Sequence, residues 1–390
     1  MSDTAAAPDP ATQDALARAQ VNYDAGRLLP ALQTARQHDT DAVAEPARSE
    51  ALRLRTLAAY RLGEFEEAAC AALSLLDKFG GQAPSYPART SVLAASVVAA
   101  AELARYEQAL VHLQQMLSAA VRGSFDDYVR ARGTAATCFA LLGDPWAAQR
   151  LQSELLGLFQ GLPSESALEA TVRNNHAACC LLIARMACDA GDAEGCSEAL
   201  DHAEASIQRS GEIGALRGDE RQRALTDIHA SELALLRGNA AAALGPLQLA
   251  LEKAAVAGLF AQERGLRVVL AEACIVAGQP GRAVQVAGQV DVALNAGHSL
   301  ELRIRCCVAL QQGHAALGDS AQALTHGARA RALEQYRLYH QLRTQSRFLR
   351  TRLELEHLYR YQASASRGLS SRPGALTMPA PFDPAAPATG

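Results

Sequence analysis

Aromatic side chains are scarce in this chain. Phe, Trp and Tyr make up 5% of its 390 residues, with a single Trp. Val and Ile are too scattered for strands, and no alternation of period two persists, which excludes a sheet. Lysine is rarer still. Lys78 and Lys253 are the only two, and the net charge is −4, so no general attraction to nucleic acid is expected. The longest apolar run, Val92 to Ala101, is about half of what a membrane span requires. Met1 to Gln13 is polar and acidic, unlike a secretory signal. The expectation is a cytoplasmic protein without membrane partners. There is no P-loop, no Gly-x-Gly-x-x-Gly, no His-Glu-x-x-His and no Cys-x-x-Cys. Neither catalysis, cofactor nor metal is therefore expected.

What the chain does contain is Ala and Leu, strong helix formers, and the fold class expected is all-α. Heavy Arg and Ala usage also suggests a GC-rich bacterial genome. A turn residue is followed five positions later by a small residue, eight times: Gly26/Ala31, Gly63/Ala68, Ala104/Ala109, Gly143/Ala148, Gly191/Cys196, Gly238/Ala243, Gly278/Ala283 and Gly318/Ala323. Successive pairs lie 37 to 48 residues apart, the period of a stacked helical array. In one unit, Ala51, Leu52, Leu54, Leu57, Ala58 and Leu62 form an apolar helix face, Gly63 stops that helix, and Glu64 to Ala68 starts the next with acids in its first turn. Asp144-Pro145, Asp192, Asn239 and Asp319-Ser320 supply N-cap residues after other turns. Ser210 to Asp219, with three glycines in eight residues, reads as a flexible loop. Gly161 to Ser164, Phe79 to Pro84 and Asn295 to His298 read as further breaks.

The segments Tyr60-Arg61-Leu62-Gly63-Glu64-Phe65-Glu66-Glu67-Ala68 and Glu102 to Ala109 resemble the tetratricopeptide repeat. The other six units keep the two small residues but lose the aromatic between them. The resemblance, over roughly Ala15 to Ala332, implies an α-solenoid of about eight antiparallel helical hairpins, whose first helices line a concave groove. The expected organisation is a disordered stretch over 1–11, the solenoid over 12–332, an extension of the last helix over 333–362 and a disordered Pro/Ala/Ser tail over 363–390.

From Ser320 to about Gln362 no Pro occurs, which predicts roughly 40 helical residues, about 60 Å long. Leu338, Leu342, Leu349 and Leu353 share one stripe, and Arg329 to Arg360 carries eight Arg against three Glu. Three readings stand: a solvated cap for the solenoid, a helix that self-associates into a homodimer, or a basic surface for an acidic partner or nucleic acid. The stretch Ser346 to Arg360 resembles the connector helix that follows tetratricopeptide input domains in some bacterial diguanylate cyclases. The cyclase signature itself is absent.

His176, Cys179 and Cys180 have helical metal-ligand spacing, with Cys188 and Cys196 downstream. The plainer reading makes these cysteines small packing residues, with Cys196 in a repeat packing position, and all nine cysteines reduced. The single histidines read as ordinary helix residues, and Trp146 as a cover for its hairpin or an exposed anchor. Groove-facing polar and aromatic candidates for a partner are Arg53, Tyr60, Arg130, Asn174, Asn175, His176, Arg185 and Arg305, with Asn174-Asn175 the most suggestive. The function expected is a non-catalytic scaffold for a protein or peptide in the concave groove, serving as a regulatory or signalling adaptor. The alternative is a small-ligand sensor that transmits through its C-terminal helix.

Overall fold

The computed structural model describes residues 9–79, 89–120, 123–160 and 166–369. Among them are sixteen α-helices and no strand. They pair as α1 (Pro10–Asp24) with α2 (Leu28–His38), α3 (Glu45–Leu62) with α4 (Phe65–Phe79), α5 (Arg89–Glu102) with α6 (Tyr106–Ala120), and α7 (Phe125–Leu141) with α8 (Pro145–Leu158). Then come α9 (Ala167–Asp189) with α10 (Ala193–Arg217), α11 (Glu220–Leu236) with α12 (Ala240–Val256), α13 (Phe260–Val276) with α14 (Pro280–Ala293), and α15 (Leu300–Ala316) with α16 (Ser320–Leu369). The chain is thus an all-α solenoid of eight hairpins.

The eight turn residues are those of the sequence pairs, and all eight have left-handed backbones, with φ from 58° to 92°. Each turn closes in the same way. The residue after the turn donates its N–H five positions back, as from Glu64 to Ala59 (2.9 Å), Arg105 to Ala100 (2.8 Å) and Gln279 to Cys274 (2.7 Å). This bond satisfies a carbonyl that the ending helix leaves open. The small residue five positions after the turn then donates to the carbonyl just after the turn, as Ala68 does to Glu64 at 3.0 Å. It therefore lies in the first turn of the second helix. Ala31, Ala68, Ala109, Ala148 and Ala283 are fully buried there. Among the described residues Ala104 is the one non-glycine with positive φ, at 58°.

The odd-numbered helices form an inner layer; α5 packs on α7, α11 on α13, and α13 on α15. The array curls until its late units reach its early ones. Arg264 of α13 donates to the Leu62 carbonyl (2.6 Å), and the Glu66 amide donates to the Gly297 carbonyl (3.1 Å). His298 lies 3.4 Å from Glu64. A side chain at Gly63 would meet Arg264 and Ala261 at 2.9 and 3.2 Å, so glycine serves both the turn and this approach. Farther along, α16 crosses α6 and the α7–α8 turn. Gln341 donates to the Leu141 carbonyl (3.1 Å), Arg352 pairs with Asp144 (2.6 Å) and Arg347 with Glu107 (2.8 Å). Phe348 stacks edge-on against Phe139 at 5.0 Å, inside a core shared by α5 to α8, α15 and α16.

Three expectations are corrected. Ser210 to Arg217 is not a loop; α10 runs through it and ends at Gly218, φ 64°. Of the two glycines before that end, Gly214 sits where a side chain would crowd Arg223 at 3.3 Å, while one at Gly211 would make ordinary contact with Thr226 at 3.5 Å. Not all cysteines are reduced, since Cys188 and Cys196 form a disulfide across the α9–α10 turn. Finally, α1 begins at Pro10 and α16 continues to Leu369, so helix enters both terminal stretches expected to be disordered. The breaks at Gly161 to Ser164 and over most of Phe79 to Pro84, and the tail from residue 370, lie outside the described residues.

Candidate concave binding surface

The inner layer collects ionisable side chains that no single stretch of sequence holds together. At its late end, Arg305 of α15 grips Glu272 of α13 through two bonds, 2.8 and 2.7 Å, and Glu232 of α11 at 2.6 Å. Arg185 of α9 approaches the same Glu232 at 3.9 Å, and His229 lies 3.4 Å from it. Burial alone would push the Glu232 carboxyl up; the charges of Arg305, His229 and Arg185 hold it well below the usual range. The Arg305 guanidinium is held charged by the same carboxylates against its own burial.

At the early end, Tyr60 of α3 packs against Phe65 with ring centres 6.2 Å apart. Burial raises its hydroxyl pKa, while Arg221 of α11 and Arg130 of α7 act in the opposite direction. These charges place Arg221 and Arg130 in the electrostatic field of one phenol. The Arg221 Nε is buried and has no hydrogen-bond partner. Glu102, at the end of α5, is pushed up to about 7, first by burial and also by the like charge of Glu301, against a hydrogen bond with Ser299.

The sequence candidates therefore separate. Tyr60, Arg130, Arg185 and Arg305 belong to this inner layer. Arg53 is paired with Glu50 and bonded to Gln20. Asn174 is buried; its amide donates to Gln222 (2.9 Å) and accepts from Thr226 (3.3 Å), bracing α9 against α11. Asn175 beside it is half-buried. His176 is buried between Ser206 (2.8 Å) and Ser153 (3.1 Å), and burial lowers its pKa to about 4, so it is neutral. Cys179 and Cys180 are buried, and burial pushes their thiols up to about 12 and about 11. Among the described residues no three His, Cys, Asp or Glu side chains converge as metal ligands. Trp146 is 46% exposed at the start of α8. Sequence reasoning passed over Glu102, Arg221, Glu232 and Glu272. The only available signal was their place on first helices, which many solvated residues share.

Outside this layer, a cleft of about 510 Å³ opens where α6 meets α16, lined by Arg105, Tyr106, His112, His340 and Arg343. His112 is bonded to Ser96 at 2.7 Å. Ser96 is fully buried, beyond the reach of a substrate in the cleft, and the pair joins α5 to α6.

Among the described residues no helix is long and apolar enough to cross a membrane. No family model and no curated protein sequence matches the chain. Solved structures do. A Rap protein complexed with Competence and Sporulation Factor is 10% identical, with a TM-score of 0.56, and the match covers 93% of this chain and 99% of that one. A kinesin light chain with TPR-like repeats from Podosopora anserina is 17% identical over 54% of this chain and 97% of its own, TM-score 0.38. A tetratricopeptide repeat protein from Parabacteroides merdae is 14% identical over 73% and 93%, TM-score 0.41. Eight hairpins with recurrent left-handed turns, and the likeness to Rap over nearly the full length of both chains, give this protein the fold of the tetratricopeptide-repeat solenoids.

Proposed function

We propose that the chain is a non-catalytic scaffold, a regulatory adaptor that holds a protein or peptide segment against its inner layer. The observation that carries this reading is Arg221. Its charge acts on the Tyr60 hydroxyl, and its buried Nε has no hydrogen-bond partner, whereas Arg305 in the same layer is saturated by two carboxylates. A buried, unanswered donor is costly, and an acceptor on a ligand relieves it. Arg130 adds a second cation in the same field, and Tyr60 a flat face and a hydroxyl. The occupant that fits is an extended segment bearing a carboxylate, its anion toward Arg221 and Arg130. Asn175 offers a donor and an acceptor to its backbone. Arg185, Arg305, Glu232 and Glu272 form a rigid, pre-paired wall. The Rap complex with its factor supports this reading as an instance of a similarly folded chain bound to a ligand.

The test is selection of peptides on the full chain from a random displayed library. Peptides with a conserved carboxylate are expected, with affinity at least tenfold weaker for Arg221→Ala combined with Arg130→Ala. Arg331→Ala on α16 should leave binding unchanged. Enriched peptides indifferent to Arg221, Arg130 and Tyr60 overturn the assignment.

A further inference from the structure

One face of α16 buries Thr344, Phe348, Thr351 and Leu355, with Phe348 and Leu355 inside the core shared with α5 to α8 and α15. The opposite face carries Leu338, Leu342, Leu349 and Leu353, exposed at 55, 61, 46 and 64%. At about 100° per residue these four leucines fall within roughly 60° of arc. Leu338 to Leu349 and Leu342 to Leu353 are each an 11-residue step, which holds an apolar stripe nearly parallel to a straight helix axis. The stripe is also symmetric: its spacings of four, seven and four read the same in either direction.

The geometry points to a second copy of this chain as the occupant, paired antiparallel through α16. A two-fold interface must complement itself, and a palindromic stripe does. Leu338 meets Leu353 of the second copy, Leu342 meets Leu349, and the axis passes between Gln345 and Ser346. Arg337 then stands opposite Glu354. An acidic partner is disfavoured because five of the helix's cations are already answered within the chain: Arg329 by Asp291, Arg337 by Glu301, Arg347 by Glu107, Arg350 by Glu354 and Arg352 by Asp144. The four leucines with Tyr339 expose roughly 500 Å² of apolar surface per chain, which flanking side chains extend toward the ~800 Å² per partner of a standard interface.

Light scattering on the full chain at tens of micromolar is expected to give twice the 41.2 kDa chain mass. Leu342→Glu with Leu349→Glu should halve that mass while circular dichroism keeps its helical signal. Cysteine pairing then tests orientation and does not depend on that variant's fold. In a Cys70→Ser background, Ser346→Cys forms reducible dimers. Leu338→Cys does so only when mixed with Leu353→Cys. A monomeric chain overturns the proposal, as does a mass unchanged by the glutamates or self-linking by Leu338→Cys alone. A monomer that dimerises once residues 370–390 are removed assigns the stripe to that tail instead, and equally overturns it.

Discussion

Glu102→Gln isolates the cost of placing a carboxyl in the inner layer. The folded-state pKa of Glu102 is about 7, against 4.5 for the unperturbed group. Its surroundings are Ser299, which hydrogen-bonds to it, and Glu301, which repels it and is itself paired with Arg337 at 2.6 Å. The Tyr106 hydroxyl lies in the field of the same carboxylate. The unfolded chain releases this proton near pH 4.5 and the folded chain near 7, so between these values the folded state holds the extra proton. Stability must then fall as pH rises through that window, and the loss is complete above it. At about 1.4 kcal/mol per pKa unit, the full loss is about 3 kcal/mol. Glutamine keeps a hydrogen-bonding group toward Ser299 and never ionises. The two proteins should be equally stable below pH 4.5, and the glutamine variant should lead by about 3 kcal/mol above pH 8. Urea titrations followed by circular dichroism across this range measure the gap, provided m is unchanged. A gap that is constant from acid to alkaline pH refutes the reasoning, because it would mean that Glu102 titrates alike in both states.

Four further outcomes are expected. Arg305→Met strands Glu232 and Glu272 and should cost about 3 kcal/mol in urea melts. The depressed Glu232 pKa makes its stabilisation full above about pH 4.5 and lost as pH falls, so this variant should also show a weaker acid dependence than the parent. Asn174→Ala leaves the buried Gln222 Oε1 without its donor and removes one of the acceptors of Thr226, and should cost about 2 kcal/mol, whereas Asn175→Ala changes stability by less than about 0.5 kcal/mol. Ala104→Gly relieves a left-handed alanine but loses a buried methyl, and should be neutral within about 0.5 kcal/mol; Ala109→Gly relieves nothing and should cost about 2 kcal/mol in the same melts. Alkylation of the urea-unfolded, unreduced chain should label seven thiols, and nine after reduction, because only Cys188 and Cys196 are bonded.

The hairpins were legible in the sequence because a turn is a local event. The left-handed residue, the bond five positions back and the small residue five positions on all lie within about a dozen residues, so their spacing survives even where the family's aromatic is lost. Glycines 211 and 214 misled for the converse reason. A glycine can serve flexibility, close packing or neither, and only the neighbours tell: Arg223 crowds position 214, while position 211 has ordinary room beside Thr226. Asn174 and His176 carried polar groups on a first helix, as a groove residue does, but the partners that bury them come from α8, α10 and α11. The basic character of α16 was visible, whereas its neutralisation rests on Glu107, Asp144, Asp291 and Glu301, up to 240 positions away in sequence or brought there by the curl. The inner carboxylates fail to announce themselves on the same ground.

A straight row of repeats frays from its ends, each unit leaning only on its neighbours. Here Arg264, His298 and the Gly297 carbonyl clasp the second hairpin, while α16 straps the fourth. The row has become a clasped ring, and its ends are no longer independent. Amides near Glu66 and those flanking Gly297 should exchange with solvent together, at the rate at which the clasp parts.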